Sequence, residues 1–448
     1  MISRFKTMVL RGIFKVFIDF GWYWPFLIIL KNTIREHEAS RRHANPARPT
    51  ILGLSPEFFR SDLDILAASG DFRVLLMPFR WQTRLMYLFY PENRHNWEIL
   101  NPLESTDMME CKKRILAFYD QLVPRVHRMM RVDAVVSHHV RAPADVDWGI
   151  ASKRSGVPYI ILYREGMFAS NDEIKDRMRR RFKKLGFWGS HMVVHNNSSR
   201  DFCIETGVFK PEQVSALGCL RMDEFASRAK IAREADSCKS ENLLAVFPFT
   251  VQPDGEGVLD LSFEQLFHDS NLAILQLAQV RQDFQILIKP KPKDFEFIAG
   301  EIAKIAEKAG INLNQLRNVT ISSELDAQEL ILKADVITGL NSTTVLEAIL
   351  TPKAVVVPFF KEYRTKEGKR RVKFIDALEC MDVADDADDF KRILESRMGG
   401  YRVSDETMEK RRFFFSKYVS DPDGRALEQY RAYIKNEIER SDPKRMDA

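Results

Sequence analysis

At 448 residues, with 45% hydrophobic and 29% charged side chains, the chain is long enough for two globular domains of ordinary size. A net charge of +5 is too small to imply nucleic acid by itself, and no RNA- or DNA-binding motif is present. The cysteines Cys111, Cys203, Cys219, Cys238 and Cys380 stand without paired spacing, which argues for a reducing compartment and against a zinc site.

The first stretch, MVLRGIFKVFIDFGWYWPFLIILK, is rich in aromatics but broken by Arg11, Lys15 and Asp19. Its uninterrupted apolar part, Phe20 to Leu30, is shorter than the about 20 residues that cross a bilayer. No small-residue cleavage site follows, so a secretory signal is not expected. Two readings stay open for residues 1–48: an amphipathic segment lying in a membrane interface, or a helix docked on the domain behind it.

From Pro49 the pattern alternates between strands and helices. TILGLS and FRVLLMP read as strands, and a long helical stretch from Thr106 to Met130 precedes the strand VDAVVSHHV. The helical ADVDWGIASKRSG leads to the strand VPYIILYREG, then come a basic run, the strand HMVVHNN, and a helix starting near Ser198 with Asp201 in capping-box position. QVSALGCLRMDEF closes a first domain over 49–225, and the polar segment Ala226 to Glu241 reads as a linker. A second alternation over 241–400 begins at NLLAVFPF and passes through DFQILIKPKPKDF and NVTISS; charged helical segments fill 401–448. This order predicts an α/β fold of two Rossmann-like domains with an inter-domain cleft as the default ligand site and a helical C-terminal tail.

The second alternation is organised around ADVITGLNSTTVLEAILTPKAVVVPFF, Ala334 to Phe360. Its apolar periodicity marks a strand, a turn, a helix opening at Ser342 and a second strand. Phosphates favour helix N-termini at the carboxyl ends of parallel strands. Gly339, Asn341, Ser342, Thr343 and Thr344 are small or hydroxylated enough to admit a phosphate and donate to it, and Glu347 is one turn on, within reach of ribose hydroxyls. The alternative is an N-cap cluster beside a solvated Glu347.

These residues resemble the donor-binding segment of GT-B glycosyltransferases of bacterial surface polysaccharides. That group includes CDP-glycerol glycerophosphotransferases, lipid-linked GlcNAc transferases of the peptidoglycan type, and sialyl- and Kdo-transferases using CMP-sugars. ILIKPKPKD resembles their Lys-Pro-His-Pro segment, and ALGCLRMDEF their Gly-x-x-Arg-x-Asp element; order and spacing agree over residues 130–360. Here Lys291, flanked by Lys289 and Lys293, stands where the family has histidine. Lysine neutralises phosphate as a point charge but does not shuttle protons near neutral pH, so the loop is assigned to phosphate binding.

Glycosyl transfer with inversion needs a base to take the acceptor hydroxyl proton, and the candidate for it lies in the first domain. Glu165 in YREG follows a strand and matches the acidic-Gly element of the sialyltransferases, so it is the candidate general base. Arg164 beside it would oppose that role if the two paired. His138 and His139 compete for it, and His195 ends the next strand. His191 and His195, roughly 13 Å apart on a strand, are too distant to share an ion. The Asp-x-Asp pairs Asp62/Asp64, Asp145/Asp147, Asp386/Asp388 and Asp421/Asp423 do not close an apolar core strand. Metal-independent chemistry is therefore expected, with no cofactor beyond the nucleotide-activated donor itself as substrate. Two basic runs, Lys175 to Lys184 and Lys366 to Phe374, read as solvated faces; the first, with Met178, Phe182 and Phe187 interleaved, would also suit an anionic lipid surface or a lipid-pyrophosphate acceptor.

The expectation is a nucleotide-sugar-dependent glycosyltransferase, or a polyol-phosphate transferase using a CDP-polyol, peripheral on the cytoplasmic face of the inner membrane. It would build a capsule, lipopolysaccharide or similar polymer on a glycan or lipid-linked acceptor, without nucleic acid. The rivals are an enzyme like UDP-GlcNAc 2-epimerase and a non-catalytic carbohydrate-binding or scaffold protein.

Overall fold

The computed structural model describes residues 2–43, 45–92, 94, 96–101, 105–166, 170–234, 241–249 and 263–441. The chain divides into two compact units, one of Met1–Gly166, Arg177–Arg221 and Arg425–Ala448, the other of Met167–Asp176 and Met222–Gly424.

The first unit is built on seven strands: β1 (Arg35–Glu36), β2 (Thr50–Leu54), β3 (Arg73–Met77), β4 (Ala134–Ser137), β5 (Tyr159–Leu162), β6 (His191–Val194) and β7 (Val214–Ala216). They lie in the order β1-β3-β2-β4-β5-β6-β7, all parallel except the short edge strand β1. β2, β4 and β5 are buried at every position, as expected of parallel strands covered on both faces by helices. On one face Ile51, Phe72, Val74, Val136 and Val193 pack with Ala426, Tyr430, Ile434 and Ile438 of the helix Ala426–Ser441.

The expected helical C-terminal region is present, and its two helices belong to different units. Asp405–Tyr418 belongs to the second unit, whereas Ala426–Ser441 is a structural wall of the first. Its polar side chains fix it as well: Lys435 bonds Asp71 at 2.7 Å, and Glu437 pairs with His191 at the start of β6. Residues 442–448 of the expected tail lie outside the described residues.

The N-terminal stretch forms the helices Ile2–Asp19 and Trp24–Thr33, and the second is docked on the first unit. Phe26 and Leu30 are buried, and the Phe26 ring meets Phe118 of the helix Thr106–Met130 edge-on at 5.0 Å. Ile13, Val16, Phe20, Trp22, Trp24 and Ile28 stay exposed on the other side. No helix among the described residues is long and apolar enough to cross a membrane.

The second unit has six parallel strands: β8 (Leu243–Phe247), β9 (Gln285–Ile288), β10 (Val319–Ile321), β11 (Val336–Gly339), β12 (Ala354–Pro358) and β13 (Asp382–Ala384), ordered β10-β9-β8-β11-β12-β13. The expected linker is largely a packed helix, Asp223–Glu234. Its Phe225, Ala226 and Ala229 are buried and Arg228 grips Glu329 through both guanidinium nitrogens, so an apolar face holds down what reads as a polar segment. Residues 235–240 lie outside the described set. The helix expected near Ser198 is Asn197–Glu205, and its cap is Asn196, whose side chain accepts the Ser199 amide at 2.9 Å; Asp201 instead pairs with Arg200.

Arg411, 1% exposed, ties the second unit together without a carboxylate: it donates to the carbonyls of Cys380 (3.0 Å), Thr351 (3.1 Å) and Lys353 (2.7 Å). Arg411→Ala would leave those carbonyls buried and unbonded. It should lower stability by about 2–4 kcal/mol, read from chemical denaturation.

Candidate functional site

Leaving aside the edge strand β1, each sheet starts in its middle and builds outward in both directions, so strand order reverses between β2 and β4 and between β8 and β11. Such a switch point parts the flanking loops at the carboxyl edge and leaves a crevice there.

In the second unit Gly339 ends β11 beside Phe247 of β8. A Cβ at Gly339 would stand 2.7 Å from the Phe247 carbonyl oxygen and 3.0 Å from Val345 Cγ2, so glycine lets the next helix settle onto the strand. Asn341 then takes a left-handed φ of 54°, and Ser342 caps the six-residue helix Thr343–Ala348, its Oγ accepting the Thr344 amide at 3.2 Å. Thr343 is exposed, and Ser342 and Thr344 are half-buried.

Two expected donor ligands sit differently. Asn341 Nδ2 donates to the Tyr363 hydroxyl at 2.5 Å and the Arg371 carbonyl at 2.9 Å, and its Oδ1 accepts the Lys373 amide at 2.9 Å. It clips residues 363–373 to the turn, which commits the donors a phosphate would need. Glu347 is only 7% exposed and has little carboxylate surface to offer a ribose. The side chains of Ser342, Thr343 and Thr344 stay open to solvent.

The lysine loop leaves the same edge. β8 alone separates β9 from β11, so the two loops start about two strand spacings apart, roughly 10 Å. Lys291 and Lys293 are exposed; Lys289 Nζ donates to the Ser323 carbonyl at 3.3 Å.

The crevice of the first unit is plugged by a side chain that the sequence reading set aside. Asp145, fully buried in the first turn of the helix Pro143–Arg154, accepts from Ser137 Oγ (2.5 Å) at the end of β4, Ser55 Oγ (2.6 Å) after β2, and Gln82 Nε2 (3.0 Å). Burial pushes its pKa up to about 6 against the pull of those hydrogen bonds. Asp147, one residue pair on, is gripped by Lys112 and accepts from Tyr90 at 3.1 Å. Each carboxylate has its own partners, and among the described residues no three His, Cys, Asp or Glu side chains are grouped to hold a metal ion.

Glu165 stands just beyond β5, with its side chain 45% exposed and Arg164 Nε 3.2 Å from Oε1. Arg164 also donates to the Phe58 carbonyl at 3.0 Å, and the Gly166 carbonyl accepts from Asn196 (3.0 Å) and Ser199 (3.1 Å). The loop is held on both sides of the carboxylate. A Cβ on Gly166 would sit 2.8 Å from His195 Nδ1, so this glycine also admits the imidazole beneath the loop.

The three histidines are interior groups. His138 stacks on Phe58 at 5.0 Å, and its Nδ1 stands 3.8 Å from Asp145 Oδ2. Both ring nitrogens of His139 face Arg141, at 2.8 Å from its amide and 3.3 Å from its guanidinium. Burial lowers the pKa of His138 to about 4, with Arg164 adding to it, and that of His195 to about 3, helped by Arg221 and Arg60. His139 is pushed well below the usual imidazole range by burial and then Arg141.

The first basic run is an amphipathic helix, and the second is the short helix Lys366–Arg371 with the non-helical residues after it. Along Asp172–Leu185, Met178 and Phe182 turn into the core together with Leu185, so they do not stand among the lysines and arginines of the outer face. Phe187 packs on Phe209 at 4.8 Å. In the second run Val372 and Phe374 are buried.

No protein-family model and no curated protein sequence matches the chain. Among solved structures, a protein described as a UDP-N-acetylglucosamine 2-epimerase of Listeria monocytogenes is similar with a TM-score of 0.51 at 14% identity, over 88% of this chain and 98% of that one. The fold is GT-B. Looser likenesses include MurG of Acinetobacter baumannii (TM-score 0.43, 12% identity, 87% of this chain and 99% of that one) and the wall teichoic acid polymerase TagF (0.43, 13%, 98% and 99%). At such identities the GT-B likeness speaks for architecture alone.

The interior histidines give this GT-B chain a pH dependence. His127, lowered to about 3 by burial, joins His138, His139 and His195 in being neutral when folded and protonated below 6.5 when unfolded. Their contribution is whole above pH 6.5 and drains away as pH falls toward 4 and 3. Asp62 and Asp145, both raised to about 6 mainly by burial, act oppositely: their contribution grows as pH falls from 6 toward 3.8. The imidazoles outweigh the carboxylates, so unfolding free energy should fall by about 2–4 kcal/mol between pH 7 and 5 in denaturant titrations.

Proposed function

We propose that the chain is a nucleotide-sugar-dependent glycosyltransferase, or a polyol-phosphate transferase, with Glu165 as the base that takes the acceptor hydroxyl proton. What supports this is Glu165 itself: a half-exposed carboxylate, braced on both sides, at the carboxyl edge of a parallel sheet. The neighbouring imidazoles are buried, whereas the Glu165 carboxylate is open to an acceptor. The donor phosphates are assigned to the Ser342–Thr344 turn and to Lys289, Lys291 and Lys293, where helix-end amides and ammonium groups meet the leaving-group charge without a metal ion. The product would be a bacterial surface polysaccharide or lipopolysaccharide.

Glu165→Gln keeps shape and polarity but removes the base, and turnover should drop about 10²–10⁴-fold with donor affinity little changed. Ser342→Ala with Thr343→Ala should instead weaken nucleotide binding by about 1–3 kcal/mol, read from thermal stabilisation by CMP, CDP, UDP, GDP and ADP. Nucleotide release that proceeds without any acceptor would favour the 2-epimerase reading over transfer, and full turnover by Glu165→Gln would return the role to His138, His139 or His195.

The cytoplasmic membrane surface is the proposed location. The exposed row Ile13, Val16, Phe20, Trp22, Trp24 and Ile28 is apolar and aromatic, with Lys15 and Lys31 beside it, a composition suited to the headgroup boundary. Because Phe26 and Leu30 belong to the core, the test is a surface substitution: Phe20→Ser, Trp22→Ser and Trp24→Ser together should release the folded protein from anionic vesicles in a sedimentation assay. Undiminished sedimentation would assign attachment to the basic helices.

A further inference from the structure

The amino edge of the first sheet holds a cavity that the proposed reaction does not use. Its volume is about 530 Å³, within the range of small-molecule sites, and its walls include Arg48, His127, Arg128, Arg131 and Val157. The residues leading into β2 form one side, and the end of the helix Thr106–Met130 with the turn into β4 forms the other. Two bonds fix their spacing: the Asp133 amide donates to the Thr50 carbonyl at 2.8 Å, and the Thr50 amide to Asp133 Oδ2 at 2.7 Å. Glu165, beyond the end of β5, lies at the opposite edge of the sheet.

Two wall residues carry buried atoms without a hydrogen-bond partner. Arg48, its side chain 7% exposed, spends Nη2 on Glu36 Oε1 (3.2 Å) and the Ser40 carbonyl (2.7 Å), while Nη1 is unbonded. His127 is 4% exposed, with Nε2 3.5 Å from Ser152 Oγ. That hydroxyl gives its own hydrogen to the Trp148 carbonyl at 2.9 Å, so toward the imidazole it can only accept. Nε2 therefore carries the ring hydrogen, and Nδ1, also unbonded, is left as an acceptor. Arg128 and Arg131 alone would be ordinary complements to the carboxyl end of their helix. A buried donor and a buried acceptor left open on the walls of one cavity need another explanation.

We infer that this cavity binds a phosphate ester bearing a neighbouring hydroxyl, of the sugar-phosphate or polyol-phosphate class, with the phosphoryl group on Arg48 and the hydroxyl donating to His127 Nδ1. Arg48 has one guanidinium nitrogen to offer, since Glu36 and Ser40 hold the other, so it lacks the paired grip that suits a planar carboxylate. A tetrahedral group can take one bond there and others from Arg128 and Arg131 at the rim. The carboxylate in the wall, Asp133, accepts the Thr50 amide. All these residues belong to the first unit, and the site stands whether or not the chain is a transferase.

Glycerol 3-phosphate, titrated calorimetrically into the full chain, tests the site, with sulfate as a tetrahedral anion that has no hydrogen to donate. Arg48→Gln should weaken glycerol 3-phosphate binding about 10–100-fold, the worth of a hydrogen bond to a charged group. Arg131→Asn should weaken it about 3–10-fold; asparagine tolerates the left-handed φ of 56° at this exposed position, so this variant carries the test even where Arg48→Gln fails to fold. His127→Phe should weaken glycerol 3-phosphate and leave sulfate binding unchanged. Comparing glycerol 3-phosphate with soluble dihexanoyl phosphatidylglycerol tells whether a free ester or a lipid headgroup fills the cavity. Affinity unchanged by Arg48→Gln and Arg131→Asn, or no binding at all, would leave the cavity to water and overturn the site. An equal loss of both anions in His127→Phe would overturn the role given to the hydroxyl.

Discussion

Reversal of strand order in a parallel sheet leaves a crevice that no strand can fill, and both units are arranged about one. In the first unit the gap between β2 and β4 is closed from below by the Asp145 carboxylate, bonded to Ser55, Ser137 and Gln82. A buried charge or proton with all its partners in place fixes two loops and a helix start at once. In the second unit the gap between β8 and β11 is shaped, among the described residues, by the absent side chain of Gly339 and the clip of Asn341. The two units share a plan but differ in what occupies its centre.

Strands were legible because parallel strands buried on both faces must be apolar throughout, which makes runs such as those in β2, β4 and β11 stand out. The helix Thr106–Met130 was legible for its length and periodicity. Asp145 was not, because an acidic residue in a helix's first turn looks like an ordinary complement to the dipole. Its meaning depends on Ser55, 90 residues away.

Asn341 shows the opposite difficulty. Its residue type suits a phosphate turn and equally suits a left-handed bend, and only the positions of Tyr363, Arg371 and Lys373 decide between them. Met178 and Phe182 looked like lipid-facing apolar residues within a basic run, yet helical geometry turns them to the core and leaves the charges outside. In each case the local pattern was read correctly and the partner lay far along the chain.

The helix Ala426–Ser441 closes the core of a unit whose strands all lie before residue 217. Synthesis from the amino end therefore delivers the whole first sheet long before its last wall, while the greater part of the second unit, Met222–Gly424, is contiguous. A ribosome that has passed Gly424 holds a second unit able to collapse and a first unit still exposing Ile51, Phe72 and Val74 on one face. The first unit thus closes through contacts that span most of the chain in sequence, the kind of pairing that costs the most loop entropy to bring together.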